Sequence, residues 1–504
     1  MTLTAVFLYF ILSAIGLGLA TLAAMYQRAG SLRATAFRMS FAAENGAKQA
    51  YAVLAAAVSR RTSPIEISPE RFSELREATA AGEIDAAEEA LGLDFPLEIS
   101  EAVGSQVWTA GLGLFFARWE DREGFFLAEF RGDAKSEGRL EGLARRKTAL
   151  LEAKLGILAG RIPLAAVPLL VAGPDGPESL GDLVAQGKVE LRPAGSRRRI
   201  PGPMATASAL IPADATPALA ETLKVKIFSP EKLTKAQLRQ ALGLEMIDEP
   251  VPDGVYLVAN DTGLGGVFVQ GDVEELLLAA ESGWQYAQFK LEEGIWILKF
   301  NPSLGETIFV EPAGERTFDR TPLPIIMVNG KILSLGGGTV EAGGTVALST
   351  DPSVPSVVDG VSLSLVCADE VTITSHLVQE GVRWKDGLPY LKDSRSQLVL
   401  HASGQDFIDG TERSGKIKVG SKAPRDIQIQ ASVTARGGFS AAEGAGDVTI
   451  AGSLQAGALD SGSGKIRITP DERLLSGPSA SGAYPRSSIP LLWIASLEPL
   501  QWFE

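Results

Sequence analysis

The chain contains two Asp-(Thr/Ser)-Gly triplets, Asp261-Thr262-Gly263 and Asp460-Ser461-Gly462. Two loops of this type can form an aspartic-protease site, in which two carboxylates share one proton. Such loops normally follow bulky apolar residues, whereas Asn260 precedes the first triplet and the second lies in the small, polar run "GALDSGSGK". Asp, Asn and Gly in succession are strong turn signals. We therefore predict two turns, and a protease using Asp261 and Asp460 remains a remote alternative.

Other residue types that carry chemistry are scarce. Cys367 is the only cysteine, so the sequence contains neither an intrachain disulfide nor a cluster of thiolate ligands. The two histidines, His376 and His401, lack the spacing of metal ligands on a helix. We predict a non-enzymatic protein with no catalytic residue, no metal site and no cofactor. The net charge of −14 argues against a nucleic-acid partner, because phosphate binding depends on Lys and Arg.

The first 27 residues contain no charged side chain, and residues 3–26 form a long apolar run. As a helix this run is about 36 Å long, at about 1.5 Å per residue. The hydrocarbon core of a bilayer is about 30 Å thick, so the run is long enough to cross it. The apolar part of a cleaved signal peptide is shorter and follows a basic start. We therefore expect a single-pass membrane anchor.

Two features of the span concern its packing and its orientation. Gly16, Ala20 and Ala24 recur every four residues, which predicts a small-residue stripe for close helix packing. The first basic residues all follow the span, and the positive-inside rule would place that side in the cytoplasm. A large glycine-rich β region is more usual outside the cytoplasm, so the sequence leaves the orientation open. These basic residues are Arg28, Arg33, Arg38 and Lys48.

Residues 38–61 continue with alanine-rich helical spacing, including the run "FAAENGAKQAYAVL". A membrane helix followed by this run resembles the N-terminal segment of X-type minor pilins of bacterial type IV pili. Phe41, Glu44 and Gly46 are the positions that match the family pattern. The resemblance covers about the first sixty residues and implies assembly with other pilin-like subunits through the helix. It also implies location in the bacterial inner membrane, with the C-terminal region in the periplasm or outside. The family's basic leader and its glutamate near the start of the apolar run have no counterpart here.

Residues 62–250 mix helical and strand patterns. Residues 71–93 and 136–158 show charged faces that we interpret as amphipathic helices. Residues 105–132 read as a strand pair with a charged turn. Thr234 and Gln237 predict a capping box for a helix over 234–243, which Gly243 ends.

From Val251 onward, short β-branched runs alternate with Gly, Asp and Asn. The pattern apolar-x-apolar-x-Gly-x-apolar recurs at irregular spacing, which favours a β-helix-like fold slightly over a β-sandwich. This part resembles an uncharacterised bacterial β-rich domain that is often found after pilin-like N-termini. The copies are "VFVQGDV" (267–273), "IMVNGKI" (326–332) and "VTIAGSL" (448–454), with degenerate copies at 365–371 and 427–433.

The sequence thus predicts an α+β protein of three parts. Residues 1–61 form the transmembrane and assembly helix, 62–250 a mixed α/β region, and 251–504 a glycine-rich β domain. The predicted function is that of a minor-pilin-like envelope protein in a type IV pilus or related secretion filament. A membrane-anchored adhesin or surface-binding module is the alternative.

Overall fold

The computed structural model describes most of the 504 residues. The described ranges are 2–60, 65–91, 97–103, 106–122, 124–140, 143–173, 176–192, 204–205, 234–260, 263–385, 388–390, 395–471, 473, 486–487 and 489–503. The helices are α1 (Thr2–Arg60), α2 (Pro69–Ala81), α3 (Asp85–Leu91), α4 (Gly176–Ala185) and α5 (Lys235–Ala241), with a 3-10 helix at Leu164–Ala166.

The strands follow in chain order. They are β1 (Ile65–Glu66), β2 (Leu97–Val103), β3 (Gln106–Arg122), β4 (Phe125–Leu140), β5 (Leu143–Gly160), β6 (Leu169–Val171), β7 (Val189–Leu191), β8 (Met204–Ala205), β9 (Gly254–Asn260), β10 (Gly263–Gln270), β11 (Glu275–Glu281), β12 (Trp284–Leu291), β13 (Gly294–Asn301), β14 (Glu306–Glu311), β15 (Gly314–Phe318) and β16 (Ile325–Asn329). Then come β17 (Ile332–Val340), β18 (Val346–Leu348), β19 (Ser362–Cys367), β20 (Val371–Ile373), β21 (Arg383–Lys385), β22 (Leu388–Tyr390), β23 (Gln397–Ala402), β24 (Lys416–Val419), β25 (Asp426–Ile429), β26 (Ser432–Ala435), β27 (Gly438–Ala441), β28 (Asp447–Ala456), β29 (Leu459–Asp460), β30 (Ile466–Pro470) and β31 (Leu491–Phe503).

Helix α1 is uninterrupted because residues 2–60 are rich in Ala and Leu and contain no proline. Its residues 3–31 are exposed, residues 32–38 are exposed or half-buried, and from Met39 onward one face is buried. The α+β class and the long apolar helix predicted from the sequence are confirmed. The helix is long and apolar enough to cross a membrane.

A six-stranded antiparallel sheet carries the second half of α1. Its strand order is β1-β31-β5-β4-β3-β2. One face packs against α1 and α2, and every second residue of β4 contributes to that core because side chains alternate across a strand. The buried residues of this core are Ala42, Ala50, Leu54, Ala55, Leu75, Ala110, Leu112, Phe126, Ala128, Phe130, Ala134, Ala153, Leu155, Ile157, Ala159, Leu492, Ile494 and Leu497.

The last strand of the chain belongs to this first sheet. β31 pairs antiparallel with β5, with Leu491 opposite Gly160 and Phe503 opposite Leu150. Residues 161–490 are therefore an insertion between two neighbouring strands. The boundaries predicted at residues 61 and 250 stay predictions, but strand pairing groups β31 with residues 65–160.

Within the insertion, strands stack in parallel ladders. One ladder runs β10, β16, β19, β23, β26 and β28, and a second runs β11, β17, β20, β24, β27 and β29. A third joins β25, β28, β30 and β7. Their inward side chains form the largest core, in which Val267, Ile326, Leu365, Leu400 and Val433 are buried. The predicted β-rich region is confirmed at this level.

Glycines make the corners of the recurring motif. In "VFVQGDV", β10 ends at Gln270 and Gly271 has a φ of 93° before β11 begins. In "VTIAGSL", Gly452 has a φ of 148° and lies in β28, between the part paired with β25 and the part paired with β26. An L-residue rarely adopts either conformation, so glycine is needed at both corners.

The two ends of the ladders are covered by other elements. At one end β9 pairs antiparallel with β10, and α5 with its C-cap packs Leu238 and Leu242 against Phe268 and Met327 on the outer face of this sheet. The predicted capping box of this helix is confirmed, with Thr234 accepting from the Gln237 amide and Gln237 accepting from the Thr234 amide. At the other end β6 and β7, which precede the ladders in sequence, pair with β28 and β30.

Two predicted helices differ in the structure. The helix predicted over 136–158 is wrong, because this segment forms the end of β4 and most of β5. The helix predicted over 71–93 is divided into α2 and α3, because Gly82 adopts the left-handed conformation that ends α2. The strand pair predicted over 105–132 is confirmed as β3 and β4, which turn at Gly124 with a φ of 78°.

Candidate assembly site on the N-terminal helix

The small-residue stripe of the span lies on the surface of α1. Gly16, Ala20 and Ala24 are all exposed. A Cβ placed on Gly16 would have no heavy atom within 4 Å outside its own helix and chain neighbours. The large apolar residues around the stripe, including Phe7, Leu12 and Leu19, are exposed as well. The stripe therefore has no partner among the described parts of its own chain.

The three residues that match the pilin pattern do not form one cluster. Gly46 is buried on the face toward the sheet, whereas Phe41 is exposed. The Glu44 carboxylate accepts from Lys48 Nζ one turn further along α1. Pairs of this kind at i and i+4 stabilise a helix by only about 0.3–0.5 kcal/mol. Gly46 therefore serves packing on the sheet, and Phe41 remains available on the outer surface.

The sheet meets α1 through a row of small residues on β4. Gly132, Ala134, Ser136 and Gly138 alternate along one face, and all four are buried. A Cβ on Gly138 would lie 2.5 Å from the Met39 carbonyl oxygen and 3.2 Å from the Ala42 Cβ atom. The row lets the helix backbone approach the strand closely. In the sequence this row is visible as small residues at every second position. The helix predicted from residue 136 onward has a period that does not show such a row.

Of the two aspartate triplets, the structure describes only Asp460-Ser461-Gly462 in full. Asp261 and Thr262 lie outside the described residues, and β10 begins at Gly263. Asp460 Oδ1 accepts from the Gly462 amide at 2.9 Å, and Gly462 has a φ of 56°. This local hydrogen bond is that of an Asx turn. The predicted turn is confirmed for the second triplet.

The histidines and the cysteine are packed into the ladders. His376 Nδ1 accepts from the Gln428 amide at 3.1 Å, and burial lowers the pKa of His376. His401 is fully buried between Val366 and Thr434 on adjacent strands, and burial lowers its pKa to about 4. Burial also raises the pKa of Cys367 to about 12, so this residue is a neutral thiol. Within the described ranges, no group of three or more His, Cys, Asp and Glu side chains could hold a metal ion.

The surface of α1 is thus the part of the described chain that most clearly lacks a partner. This apolar stretch is long and apolar enough to cross a membrane. No protein-family model, curated protein or solved structure matches the chain.

Proposed function

We propose that this chain is a non-enzymatic, minor-pilin-like envelope protein that contributes to a type IV pilus or a related secretion filament. The observation that carries the proposal is the division of α1. One half of the helix is apolar and exposed, and the other half packs on an antiparallel sheet. This division separates a segment suited to the membrane and to assembly from a folded body.

Residues 3–26 present a large exposed apolar surface. Leaving this surface in water is costly, at roughly 25 cal/mol per Å². A bilayer removes the cost when the protein is alone, and neighbouring helices remove it in an assembly. Within lipid, helices associate by close packing, and small residues such as Gly16, Ala20 and Ala24 allow it. The partners in this proposal are other pilin-like subunits, and the membrane holds the protein before it assembles with them.

The proposed location is the bacterial inner membrane, crossed once, with the C-terminal region in the periplasm or outside. The support is the length and apolar character of α1 and the absence of charged residues before Arg28. The basic residues after the span favour the opposite orientation, so the location requires a direct test. Accessibility of an engineered cysteine on the folded body to an impermeant reagent in intact spheroplasts provides it, because Cys367 is buried.

We further infer that the parallel ladders form the walls of a β-helix. The first and third ladders share β28, all three ladders contribute side chains to one core, and each corner of the recurring motif passes the chain from one ladder to the next. A sandwich is built from antiparallel strands instead. Since no catalytic group is assigned to this body, its role in the proposal is structural.

The test of the assembly role replaces two stripe residues by leucine. Gly16→Leu with Ala20→Leu fills the stripe, so crosslinking of an Ala24→Cys reporter to neighbouring pilin-like subunits in membranes should fall severalfold. Leu17→Ile serves as the control, because it keeps apolar volume outside the stripe. Unchanged crosslinking in the double variant would show that α1 does not assemble through this stripe.

A further inference from the structure

The protein as a whole is acidic, but the segment that follows the apolar run is basic. The chain contains 47 Lys and Arg residues against 61 Asp and Glu residues. Helix α1 reverses this balance, with five basic residues and one acidic residue, Glu44. Since Glu44 pairs with Lys48, it does not neutralise the three arginines that precede it. A positive segment therefore lies directly after the span.

The three arginines form an exposed stalk between the span and the folded body. Arg28, Arg33 and Arg38 are exposed, and their side chains have no ion-pair partner among the described residues. Successive arginines are about 7.5 Å apart along the axis, at about 1.5 Å per residue. Arg28 marks the end of the apolar run, so the stalk begins at the boundary of the hydrocarbon core.

The turn between β4 and β5 adds a second group of basic residues at the same height. Gly138 on β4 abuts Met39 of α1, and Lys147 of β5 is in register with Gly138. Arg139 and Arg146 are in register with each other in the next pair, and all three basic side chains are exposed. The turn therefore lies next to the C-terminal end of the stalk.

The basic side chains of the turn outnumber its described acidic side chains. Glu137 forms ion pairs with both Arg139 and Arg146, so one carboxylate is shared by two guanidinium groups. Lys147 has no ion-pair partner among the described residues. The described surface of the turn thus keeps a net positive charge, and it lies at the end of the sheet that is nearest to the stalk.

We propose that the stalk (Arg28, Arg33, Arg38) and the β4–β5 turn (Arg139, Arg146, Lys147) form one basic surface that docks on anionic phospholipid headgroups. This inference rests on the proposed anchoring of the chain by α1. The headgroup layer is about 5–7 Å thick on each side. The turn lies about 16 Å above Arg28 along the helix axis. Long basic side chains and a Debye length of about 8 Å bring it within reach of the anionic surface. The docking fixes the body against the membrane before assembly.

The test uses the full chain in lipid nanodiscs. A fluorophore on Thr148→Cys reports the height of the turn, since Thr148 is exposed and Cys367 is fully buried. Quenching by headgroup-labelled lipid should be strong in discs with about one-third phosphatidylglycerol and weak in pure phosphatidylcholine. It should also be lost at about 1 M salt, where the Debye length is about 3 Å.

Arg139→Gln with Arg146→Gln and Lys147→Gln should lower the docking equilibrium about 100-fold, at about fivefold per basic residue. The control removes three ion-paired basic residues from the insertion instead, by Lys290→Gln with Arg316→Gln and Lys418→Gln. Arg33→Gln with Arg38→Gln tests the stalk without altering the sheet. Equal quenching in neutral and anionic discs, or equal quenching in both triple variants, would overturn the inference alone. Failure of the chain to enter discs of either composition would overturn the anchoring, and with it both proposals.

Discussion

Gly138 is the residue at which helix and sheet approach most closely, and we predict that Gly138→Ala destabilises the fold. The added methyl group would lie 2.5 Å from the Met39 carbonyl oxygen, which belongs to the backbone and cannot rotate away. Overpacking of this kind costs about 1–3 kcal/mol, measurable as a loss in the free energy of unfolding in urea. Gly111→Ala on β3 is the matched control, because its Cβ would meet nothing within 4 Å. Equal effects of the two substitutions would contradict the close approach.

His401 gives a prediction about pH. Burial lowers its pKa to about 4 from an ordinary value of 6.5, so the unfolded chain binds the proton at a higher pH than the folded chain. The stability that depends on the neutral ring is therefore present above about pH 6.5 and is lost as the pH falls toward 4. Between pH 7 and about pH 4.5 this loss is about 2.5 kcal/mol, at 1.36 kcal/mol per pKa unit.

His401→Leu removes the titrating group and should reduce the drop in unfolding free energy over that interval by about the same amount. The comparison is between the two pH-dependent changes, so any constant cost of repacking cancels. A variant whose stability falls with pH as steeply as that of the wild type would show that His401 is not the responsible group. The carboxylates contribute equally to both proteins and do not affect the difference.

At the scale of elements, the start of α5 shows that a short sequence pattern can be enough to predict where a helix begins. Its capping box could be predicted from Thr234 and Gln237 alone, because both hydrogen bonds are within four residues. We expect Thr234→Ala to cost about 1 kcal/mol and Thr234→Ser to cost little. Hydrogen exchange of the α5 amides measures the effect locally, and faster exchange in the Ala variant alone is the expected result. Exchange that is unchanged by Thr234→Ala would show that packing of Leu238 and Leu242 fixes the helix without the cap.

The β4–β5 pair shows where a local signal fails. Residues 136–158 are rich in Ala, Leu, Glu, Lys and Arg, which favour a helix when considered alone. Along β4, however, Glu129, Arg131, Asp133, Lys135 and Glu137 alternate with small or apolar residues, which is the period of a strand. Pairing with β3 on one side and β31 on the other overrides the helical preference. The row of small residues against which α1 packs could be found in the sequence only by searching for small residues at every second position.

At the scale of the molecule, the sequence predicts the long apolar helix and the β-rich region but not how they join. The helix depends on an apolar run, and the ladders depend on a motif that recurs along the chain, so both signals are local. The pairing of β31 with β5 joins residues more than 300 positions apart. The pairing of β6 with β28 likewise joins Leu169 to Leu454. Such contacts leave no pattern in a single sequence, and they determine which residues belong to the same folded body.

This topology predicts how the chain can be divided. Fragment 161–490 keeps β6 and β7 against β28 and β30, and it gives up the contacts that Leu164 and Leu170 make with the cluster around Trp493 of the first sheet. Fragment 251–504, cut at the boundary that composition favours, loses β6 and β7 and retains β31 without β5. Unpaired strand edges promote aggregation. We therefore expect 161–490 to elute as a monomer with a cooperative thermal transition by circular dichroism, whereas 251–504 should aggregate. A soluble, cooperatively folding 251–504 would show that the ladders do not need the strands that precede them, and that the insertion is not the unit of folding.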